Sequence, residues 1–301
     1  MEFGRISNLE TIVLNLPQDH SGTLKVLGGK KSEKCIIHVG CPIWAEPGFV
    51  GKIYSKKPKS KDISKYYSQQ FNSIELNISH YKSLDKPTIE HWVDTTSSDF
   101  KFCPKINQIV SHTPFIKPNS NYMKEIMATN KNFGHKLGMP FLQLPPHYDS
   151  TKIHDLLDFC DEAALSRCAI ELRHESWFSN ATVIKTICNY FYKNNITFLI
   201  TDTAGRRDVL HQRLTTKTAF IRFVANDLHP TDYLRIDEWI IRLKHWINHG
   251  LEELYFFVHT PTHELMPEII MYFIYNLNLQ TGMNLRTPKL ISKPIENNKL
   301  F

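Results

Sequence analysis

The run Cys168-Ala169-Ile170-Glu171-Leu172-Arg173 (CAIELR, 168–173) is short and apolar and ends in charged side chains. Runs of this kind, bounded by polar segments, are typical of strands buried on both faces of a parallel sheet. Similar runs recur at intervals of roughly 20 to 40 residues. The other seven are CIIHVG (35–40), SIELN (73–77), KFCPKI (101–106), PFLQLP (140–145), TFLITDT (197–203), TAFIRFV (218–224) and LYFFVH (254–259).

Most of the segments between these runs are interpreted as helices. Asp62, Ser150 and Asn180 are suitable N-caps, and Gly250 is a suitable C-cap. The predicted helices are 62–71, 86–95, 121–133, 150–164, 180–193, a weak one near 207–213, 236–249 and 263–278. Eight strand–helix units fit one closed (β/α)₈ barrel of about 250 residues, whose active site lies at the C-terminal ends of the strands.

The sequence therefore predicts an α/β protein with a single TIM-like (β/α)₈ barrel over residues 35–280. Residues 1–34 are predicted to form an N-terminal arm or cap, and residues 281–301 a polar, Lys-rich C-terminal extension. The alternative is an open, doubly wound sheet, which usually has a Gly-rich phosphate turn after its first strand. The segment Gly40-Cys41-Pro42-Ile43-Trp44 lacks those glycines, which favours the barrel.

Bulk composition excludes several classes of protein. The chain has 301 residues, 42% hydrophobic and 22% charged, as expected for a globular protein. It has no apolar stretch of about 18 residues, which argues against a membrane span, and its first residues do not resemble a secretory signal. The six cysteines form no Cys-x-x-Cys pair, so we expect a reduced, cytoplasmic protein without disulfides. The net charge of +6 permits an anionic partner without requiring one.

Strand side chains alternate between the two faces of a sheet. If the apolar positions Ile74, Leu76, Ile170 and Leu172 face the helices, the polar positions between them face the barrel mouth. The predicted inward residues are Glu75, Asn77, Lys105, Gln143, Glu171, Arg173, Asp202, Arg222 and His259. Three acids (Glu75, Glu171, Asp202) would then meet three bases (Lys105, Arg173, Arg222). Such a cluster indicates a functional site, although a self-compensating network of buried ion pairs needs no substrate.

Several motifs occur in order along the chain: Gly40-Cys41 with Trp44, 71–77 followed by Tyr81, Lys105 with Ser111-His112-Thr113, Leu137-Gly138 with 143–146, 171–174 with Ser176-Trp177, Asp202, and 221–223. From about Cys35 to Leu277 the chain resembles the domain of unknown function 72, or YecE-like, family. The resemblance implies a TIM-like barrel and no established activity. Proposals for barrels of this kind, by likeness to metallo-enzymes that act on nucleic acids or sugars, are fold-level analogies.

The chain departs from the usual pattern of that family at four places. Pro42-Ile43 stands where Ser-Gly is common, Ser79-His80 where Thr-Phe is frequent, Val224-Ala225 where His-Gly usually follows the seventh strand, and His259-Thr260 where an Asn pair follows the eighth. If the missing seventh-strand histidine were a base or ligand in the family, this chain would be altered there.

Two kinds of chemistry remain open at the predicted mouth. Divalent-metal hydrolysis would draw on donors from several strands, namely Glu75, His112, Glu171, His174, Asp202, His229 and His259, but no His-Glu-x-x-His motif is present. Metal-free acid–base chemistry would use Glu171 or Glu75 as acid or base, with Arg173, Arg222 and Lys105 holding an anion. Gln143 and Arg222 replace the carboxylates that barrel glycosidases carry on strands four and seven, so a retaining glycosidase is disfavoured.

A nucleic-acid partner is a further alternative. The loop 52–61 is Lys-rich and contains Tyr54, which suits a phosphate backbone, although a solvated loop has the same composition. Trp44, Tyr54 and Trp177 are placed near the mouth, where they would stack on a sugar or base or pack under a loop.

The sequence thus favours a hydrolase or lyase that acts on an anionic substrate such as a nucleotide or sugar phosphate, with a divalent metal left open. A non-catalytic nucleic-acid-binding or protein-binding barrel is the alternative. The predicted catalytic residues are Glu171, Glu75 and Asp202. The predicted substrate-binding residues are Arg173, Arg222, Lys105, Asn77, Gln143, His112, His174, Trp44, Tyr81, Trp177 and His259.

Overall fold

The computed structural model describes residues 4, 6, 8–9, 11–55, 58–112 and 120–291. Nine β-strands lie within these described residues, and all their pairings are parallel. The strands are β1 (Ile36–Gly40), β2 (Ser73–Leu76), β3 (Lys101–Pro104), β4 (Phe141–Gln143), β5 (Ala169–Glu171), β6 (Thr197–Phe198), β7 (Ile200–Thr203), β8 (Thr218–Val224) and β9 (Glu253–His259).

These strands form three parallel sheets, in the orders β1-β9-β8-β7, β2-β3 and β4-β5-β6. All eight predicted runs contain a strand, but Leu199 interrupts the sixth run, so that β6 and β7 pair in different sheets. Within the described residues the three ladders do not join into one closed sheet. The α/β class with parallel strands is confirmed, and the closed barrel is not.

Neighbouring sheets nevertheless meet at two seams. Between β1 and β2, the Asn72 amide accepts from the Val39 N–H at 2.7 Å and donates to the Ile37 carbonyl at 2.8 Å. Gly40 is required there, because an added Cβ would collide with the Ser73 carbonyl oxygen. Between β3 and β4, Lys105 forms an isolated parallel bridge with Phe141. Side-chain and single backbone hydrogen bonds thus replace a continuous ladder at both seams.

Alternation along the strands separates two apolar layers. Ile74 and Leu76 pack in the cluster that includes Ile89 of a surrounding helix, and Ile170 and Leu172 pack in a second cluster with helix residues, as predicted. The opposite strand face builds a separate cluster of Cys103, Met139, Phe141, Ala169, Leu199, Phe220, Tyr255 and Phe257. Burying each large side chain contributes roughly 1.5–3 kcal/mol, and this inner layer supports the polar side chains that follow it along the strands.

The described α-helices are α1 (Ser21–Leu27), α2 (Ile63–Gln70), α3 (Ile78–Tyr81), α4 (Lys86–Thr95), α5 (Gln108–Ser111), α6 (Ser120–Asn130), α7 (Ile153–Glu162), α8 (Ser176–Ser179), α9 (Ala181–Lys193), α10 (Pro230–His249) and α11 (Met266–Thr281). Short 3₁₀ turns are Pro47–Phe49, Ser60–Asp62, Lys131–Lys136, Ser150–Lys152, Arg207–Val209 and His263–Leu265.

Most predicted helices match this set, with three instructive differences. Helix α10 begins six residues before the predicted start, because Pro230 occupies its first turn and the His229 side chain accepts from the Thr231 N–H. The weak helix near 207–213 is only a 3₁₀ turn. Helices α1, α3, α5 and α8 were not predicted, since runs of four to seven residues are too short to show a helical period.

Both ends of the described chain are attached to the sheet-and-helix body. On the N-terminal side, Asp19 accepts from Arg242 at 2.6 Å and from the Trp246 indole at 3.2 Å, both on α10. On the C-terminal side, the Ile291 N–H donates to the Lys52 carbonyl at 2.6 Å. The proposed boundaries at 34 and 280 remain predictions, and residues 292–301 lie outside the described residues. No helix among the described residues is both long and apolar enough to cross a membrane.

Candidate functional site

Two buried carboxylates share one guanidinium at the C-terminal ends of the strands. Arg222 on β8 donates from Nε and Nη2 to the two oxygens of Glu75 on β2, each at 2.9 Å. Its Nη1 donates to Glu171 on β5, also at 2.9 Å. All three side chains are at most 1% exposed. These three charge-assisted hydrogen bonds, one from each nitrogen of the guanidinium, offset the loss of hydration that burial of the charges entails.

A chain of hydrogen bonds leads from Glu171 toward the rim. The Gln143 amide donates to Glu171 at 2.8 Å and accepts from the Lys105 ammonium at 2.8 Å. Arg173 and Thr201 donate to the other oxygen of Glu171 at 2.6 and 2.9 Å. Glu171 thus has four partners, and the carboxylate holds Gln143 in the orientation that presents its oxygen to Lys105.

Both carboxylates are held in the ionised form. Burial alone would raise the pKa of Glu75, but Arg222 and His259 hold this pKa well below its usual range. Burial is likewise outweighed at Glu171, where Arg173 and Arg222 lower the pKa to about 2. Burial lowers the pKa of His259, whose Nε2–H donates to Glu75 at 2.9 Å. These acids are therefore fixed negative charges rather than proton reservoirs near neutral pH.

Asp202 is not part of this cluster, so its predicted inward orientation is wrong. Its carboxylate accepts from Arg235 at 2.8 Å and from the Trp239 indole at 2.7 Å, both on α10, and also from Arg207. The reason is alternation: Thr201 reaches Glu171, so its neighbour Asp202 must face the helices. Asp202 joins β7 to α10.

The loss of Asp202 changes the charge balance of the site. Among the described residues of the cluster, two carboxylates remain against Arg173, Arg222 and Lys105. Burial, followed by repulsion from Arg222, lowers the pKa of Lys105 to about 8, so most of this amine is still protonated at pH 7. The described residues of the cluster therefore carry an excess of one positive charge where the sequence predicted neutrality.

The rim above the cluster contains two histidines in ring contact. His80 and His112 lie with ring centroids 5.1 Å apart, and the His80 Nδ1 lies 2.8 Å from the Ile106 carbonyl oxygen. Burial lowers the pKa of His80 to about 4 and also lowers that of His112, with Lys105 and Arg173 contributing at both. These shared contributions place both imidazoles in the field of the basic residues.

Three other predicted binding residues lie at the edges of the cluster. His174 is half-buried, and its Nδ1 lies 2.9 Å from the Ser176 hydroxyl. Tyr81 is 71% exposed and packs its ring against His80. Asn77 starts α3, and its buried Oδ1 has no hydrogen-bond partner among the described residues. Thr113 of the Ser111-His112-Thr113 motif lies outside the described residues.

The predicted aromatic platform is not at the site. Trp44 packs edge-on against Trp92 and Phe102, on the helix side of the strands. Trp177 is fully buried and donates to the Tyr148 carbonyl at 2.7 Å. Their placement as substrate-binding residues is therefore wrong, because large indole surfaces gain more from core packing than from exposure.

The Lys-rich loop is partly committed to internal contacts. The Lys52 ammonium lies 2.8 Å from Glu268 and donates to the Glu264 carbonyl at 2.7 Å, while Tyr54 is buried. Lys56 and Lys57 lie outside the described residues. The loop thus offers fewer available groups to a phosphate backbone than its composition suggests.

The predicted metal donors do not converge. No group of three or more His, Cys, Asp or Glu side chains in the described part of the chain could hold a metal ion. Glu75 and His259 are paired, but a guanidinium occupies both oxygens of Glu75, and His229 is engaged at the start of α10. This donor set does not fit a divalent cation.

The family comparison agrees with the motifs. The family model described as "Protein of unknown function DUF72" matches residues 38–292. The chain belongs to the DUF72 family. UPF0759 protein YecE of Escherichia coli K12 is 24% identical over 255 residues, which cover 78% of this chain and 90% of YecE; the same values hold for the O157:H7 protein.

Solved DUF72 structures share the fold. A DUF72 family protein of Enterococcus faecalis V583 superposes with TM-scores of 0.64 and 0.62 in crystal structures at 2.52 and 3.10 Å resolution. Sequence identity is 14% in both, and the matches cover 82% and 86% of this chain and 99% of the other. At this identity the likeness concerns the fold alone.

Two residues of the site were missed in the sequence. His80 was visible only as a departure from the DUF72 pattern at Ser79-His80, and its neighbourhood to His112 depends on the fold. Thr201 could have been found by requiring strict alternation from Leu199, which packs in the inner cluster. Thr201 was hidden because polar character was used in place of strand phase.

Proposed function

We propose that this DUF72 protein is an enzyme, a hydrolase or lyase, that binds a small anionic substrate at the C-terminal ends of its strands. The observation that carries the proposal is the excess of positive charge among the described buried, hydrogen-bonded side chains from several strands. A buried net charge is unfavourable unless it is compensated, and an anion such as a sugar phosphate or nucleotide supplies the compensation.

The proposal includes a TIM-like barrel whose three sheets are arcs of one ring. Support comes from the Glu75 N–H, which donates to the Cys41 carbonyl at 3.2 Å across the β1–β2 seam, and from the Lys105–Phe141 bridge. Side chains from β2, β4, β5, β8 and β9 also meet within hydrogen-bonding distance. In such a barrel these ends surround the usual position of an active site.

Within this site the residues take different roles. Glu171 and Glu75, with their oxygens occupied, orient Arg173, Arg222 and Gln143. Lys105, 8% exposed, and Arg173, 7% exposed, lie nearest the opening and face the substrate. The acid or base role predicted for Glu171 is less well supported than this orienting role, because a pKa of about 2 opposes proton transfer near neutrality.

A cytoplasmic location is retained in the proposal, supported by six free thiols. A nucleic-acid-binding function is the weaker candidate, since Lys52 is already paired with Glu268. It predicts binding that is carried by the 52–61 loop and not by the strand ends.

Binding of phosphorylated compounds tests the proposal. Glucose 6-phosphate, AMP and orthophosphate are expected to raise the thermal unfolding temperature of the full chain, whereas glucose and adenosine leave it unchanged. Arg173→Gln should weaken phosphate binding by about tenfold to a hundredfold, the effect of losing one charge-assisted hydrogen bond. Isothermal titration calorimetry measures the affinity.

Arg286→Gln is the matched control, because Arg286 is an exposed arginine paired with Asp99 on the outside of the protein. Its phosphate affinity should equal that of the wild type. Equal effects of the two arginine substitutions, or no preference for phosphorylated over neutral compounds, would contradict a specific anion site.

A further inference from the structure

Lys105 differs from the other buried lysine of the described chain in how its ammonium is bonded. Lys136 is 4% exposed. Its ammonium has three acceptors: the Val93 carbonyl at 2.5 Å, the Thr96 carbonyl at 2.8 Å and the Thr96 hydroxyl at 3.2 Å. This saturates its three N–H groups. Lys136 is a structural cation.

The Lys105 ammonium has one hydrogen bond among the described residues, to the neutral oxygen of Gln143. No described carboxylate oxygen lies within the 4.0 Å of an ion pair with it. Two of its three N–H positions thus remain for a substrate or for solvent. The Gln143 oxygen, fixed through Glu171, orients the nitrogen without neutralising it.

Burial is the main reason that the neutral amine is favoured at Lys105. Arg222 and Arg173 repel a proton there, while Glu75 and Glu171 attract one but are already paired with those arginines. The positive charge of Lys105 in turn lowers the pKa of His80 in α3 and of His112 at the end of α5, after the larger effect of burial at both. Desolvation beside other cationic groups is the arrangement that activates a lysine as a nucleophile.

We propose that Lys105 forms a Schiff base with the carbonyl carbon of a small anionic aldehyde or ketone, with the substrate's anionic group held beside Arg173. This inference rests on the proposed function and narrows its substrate class. Such an intermediate serves a lyase, which cleaves a bond next to the carbonyl.

The step balances without a further reactant. The nitrogen lone pair of the neutral amine forms a bond to the carbonyl carbon, and the carbonyl oxygen takes a proton to give a carbinolamine. Loss of that oxygen as water leaves the protonated imine. One amine, one carbonyl and one proton from solvent thus give one iminium ion and one water, and the iminium then accepts the electron pair of the cleaved bond.

Reductive trapping tests the inference. The full chain is incubated with dihydroxyacetone phosphate, glyceraldehyde 3-phosphate or pyruvate in the presence of sodium cyanoborohydride, followed by intact-mass and peptide mass spectrometry. We expect one adduct, on the peptide that contains Lys105, with a yield that rises from pH 6 to pH 8. Lys105→Arg, which keeps the charge, and Lys105→Met should both lose this adduct completely.

Lys101→Met is the matched control. Lys101 is the first residue of β3, whereas Lys105 directly follows its last residue, and the Lys101 ammonium donates to the His135 carbonyl, so the adduct should be retained in this variant. Adducts spread over several lysines, or undiminished in Lys105→Arg, would overturn the inference.

Thermal-shift measurements with the same probes and with glycerol 3-phosphate, which has no carbonyl, separate the two proposals. Stabilisation by the phosphates without any adduct refutes the Schiff base and leaves the anion site supported. An adduct on Lys105 without stabilisation by glycerol 3-phosphate supports the Schiff base and contradicts the anion site. If neither stabilisation nor an adduct is observed, both proposals are contradicted.

Discussion

At the residue scale, the sixth apolar run shows that a shift of one residue in strand alternation decides which side chain belongs to the site. Leu199 packs in the inner cluster and Thr201 contacts Glu171, so Asp202 points to α10. The carboxylate there pairs with Arg235 and Arg207 on the outside of the strands. Without Asp202, the described side chains of the predicted ring carry more positive than negative charge. The proposal of an anion site follows from this excess.

Asp202→Asn and Glu171→Gln are expected to destabilise the protein by similar amounts and to differ in ligand binding. Each removes a buried carboxylate that pairs with two arginines, which lowers the free energy of unfolding by roughly 3–5 kcal/mol. Only Glu171→Gln increases the positive charge at the strand ends, so orthophosphate should bind it roughly tenfold more tightly. Urea denaturation and calorimetry provide the two measurements.

Asp202→Asn should leave orthophosphate affinity unchanged, because the altered charge lies on the helix side of β7. If Asp202→Asn changed the orthophosphate affinity as much as Glu171→Gln does, Asp202 would have to belong to the site.

Among elements, the β1–β2 seam is bridged by the side chain of Asn72. Asn72 precedes β2 and makes the two hydrogen bonds to β1 that a continuous ladder would otherwise provide. Gly40 permits the close approach of the strands at this point. The seam therefore holds β2, and with it Glu75, in register with Arg222 on β8.

Asn72→Ala is expected to lower the free energy of unfolding by about 2 kcal/mol, since two hydrogen bonds of about 1 kcal/mol each are lost. Urea denaturation monitored by tryptophan fluorescence measures the change. Asn132→Ala is the control: Asn132 is exposed and bonds only to the Thr129 carbonyl, so its effect should stay within about 0.5 kcal/mol. Equal losses in the two variants would show that Asn72 has no special role at the seam.

For the whole molecule, buried ionisable groups determine the response to acid. Burial lowers the pKa of His211 from 6.5 to about 3, and Arg173 and Arg222 outweigh burial to lower that of Glu171 from 4.5 to about 2. Both folded-state pKa values lie below the unfolded ones, so the unfolded chain binds more protons between them. The stabilising contribution is complete above the unfolded pKa and is lost as the pH falls through the folded pKa.

The free energy of unfolding should therefore fall from about pH 6.5 as histidines titrate, and fall more steeply from about pH 4.5 to pH 2 as carboxylates do. In Glu171→Gln the free energy of unfolding should fall less steeply between pH 4.5 and pH 2, because one of the carboxylates that titrate there is gone. Asp155→Asn, at an exposed position, should leave the profile unchanged. A wild-type stability that is constant from pH 6.5 to pH 3 would contradict the placement of these groups.

The predictable part of this fold was the part that local pattern encodes. All eight apolar runs contain a strand, and α4 matches its predicted bounds because the Asp85 side chain accepts from the Thr88 N–H and Pro87 lies in the first turn. The side chains that meet as expected from alternation are those of Glu75, Glu171, Arg222, Gln143, Lys105 and His259. Asp202, Trp44 and Trp177 were misplaced, since their environments are set by packing against helices distant in sequence.

The amino-acid sequence by itself determined the α/β class, the family and most of the polar cluster, because strand length, apolar runs and alternation are local properties of the chain. The tertiary structure alone decided the charge balance of that cluster and the difference between Lys105 and Lys136. Those properties depend on which groups approach each other through space, and a change of a few ångströms decides whether a buried charge is paired.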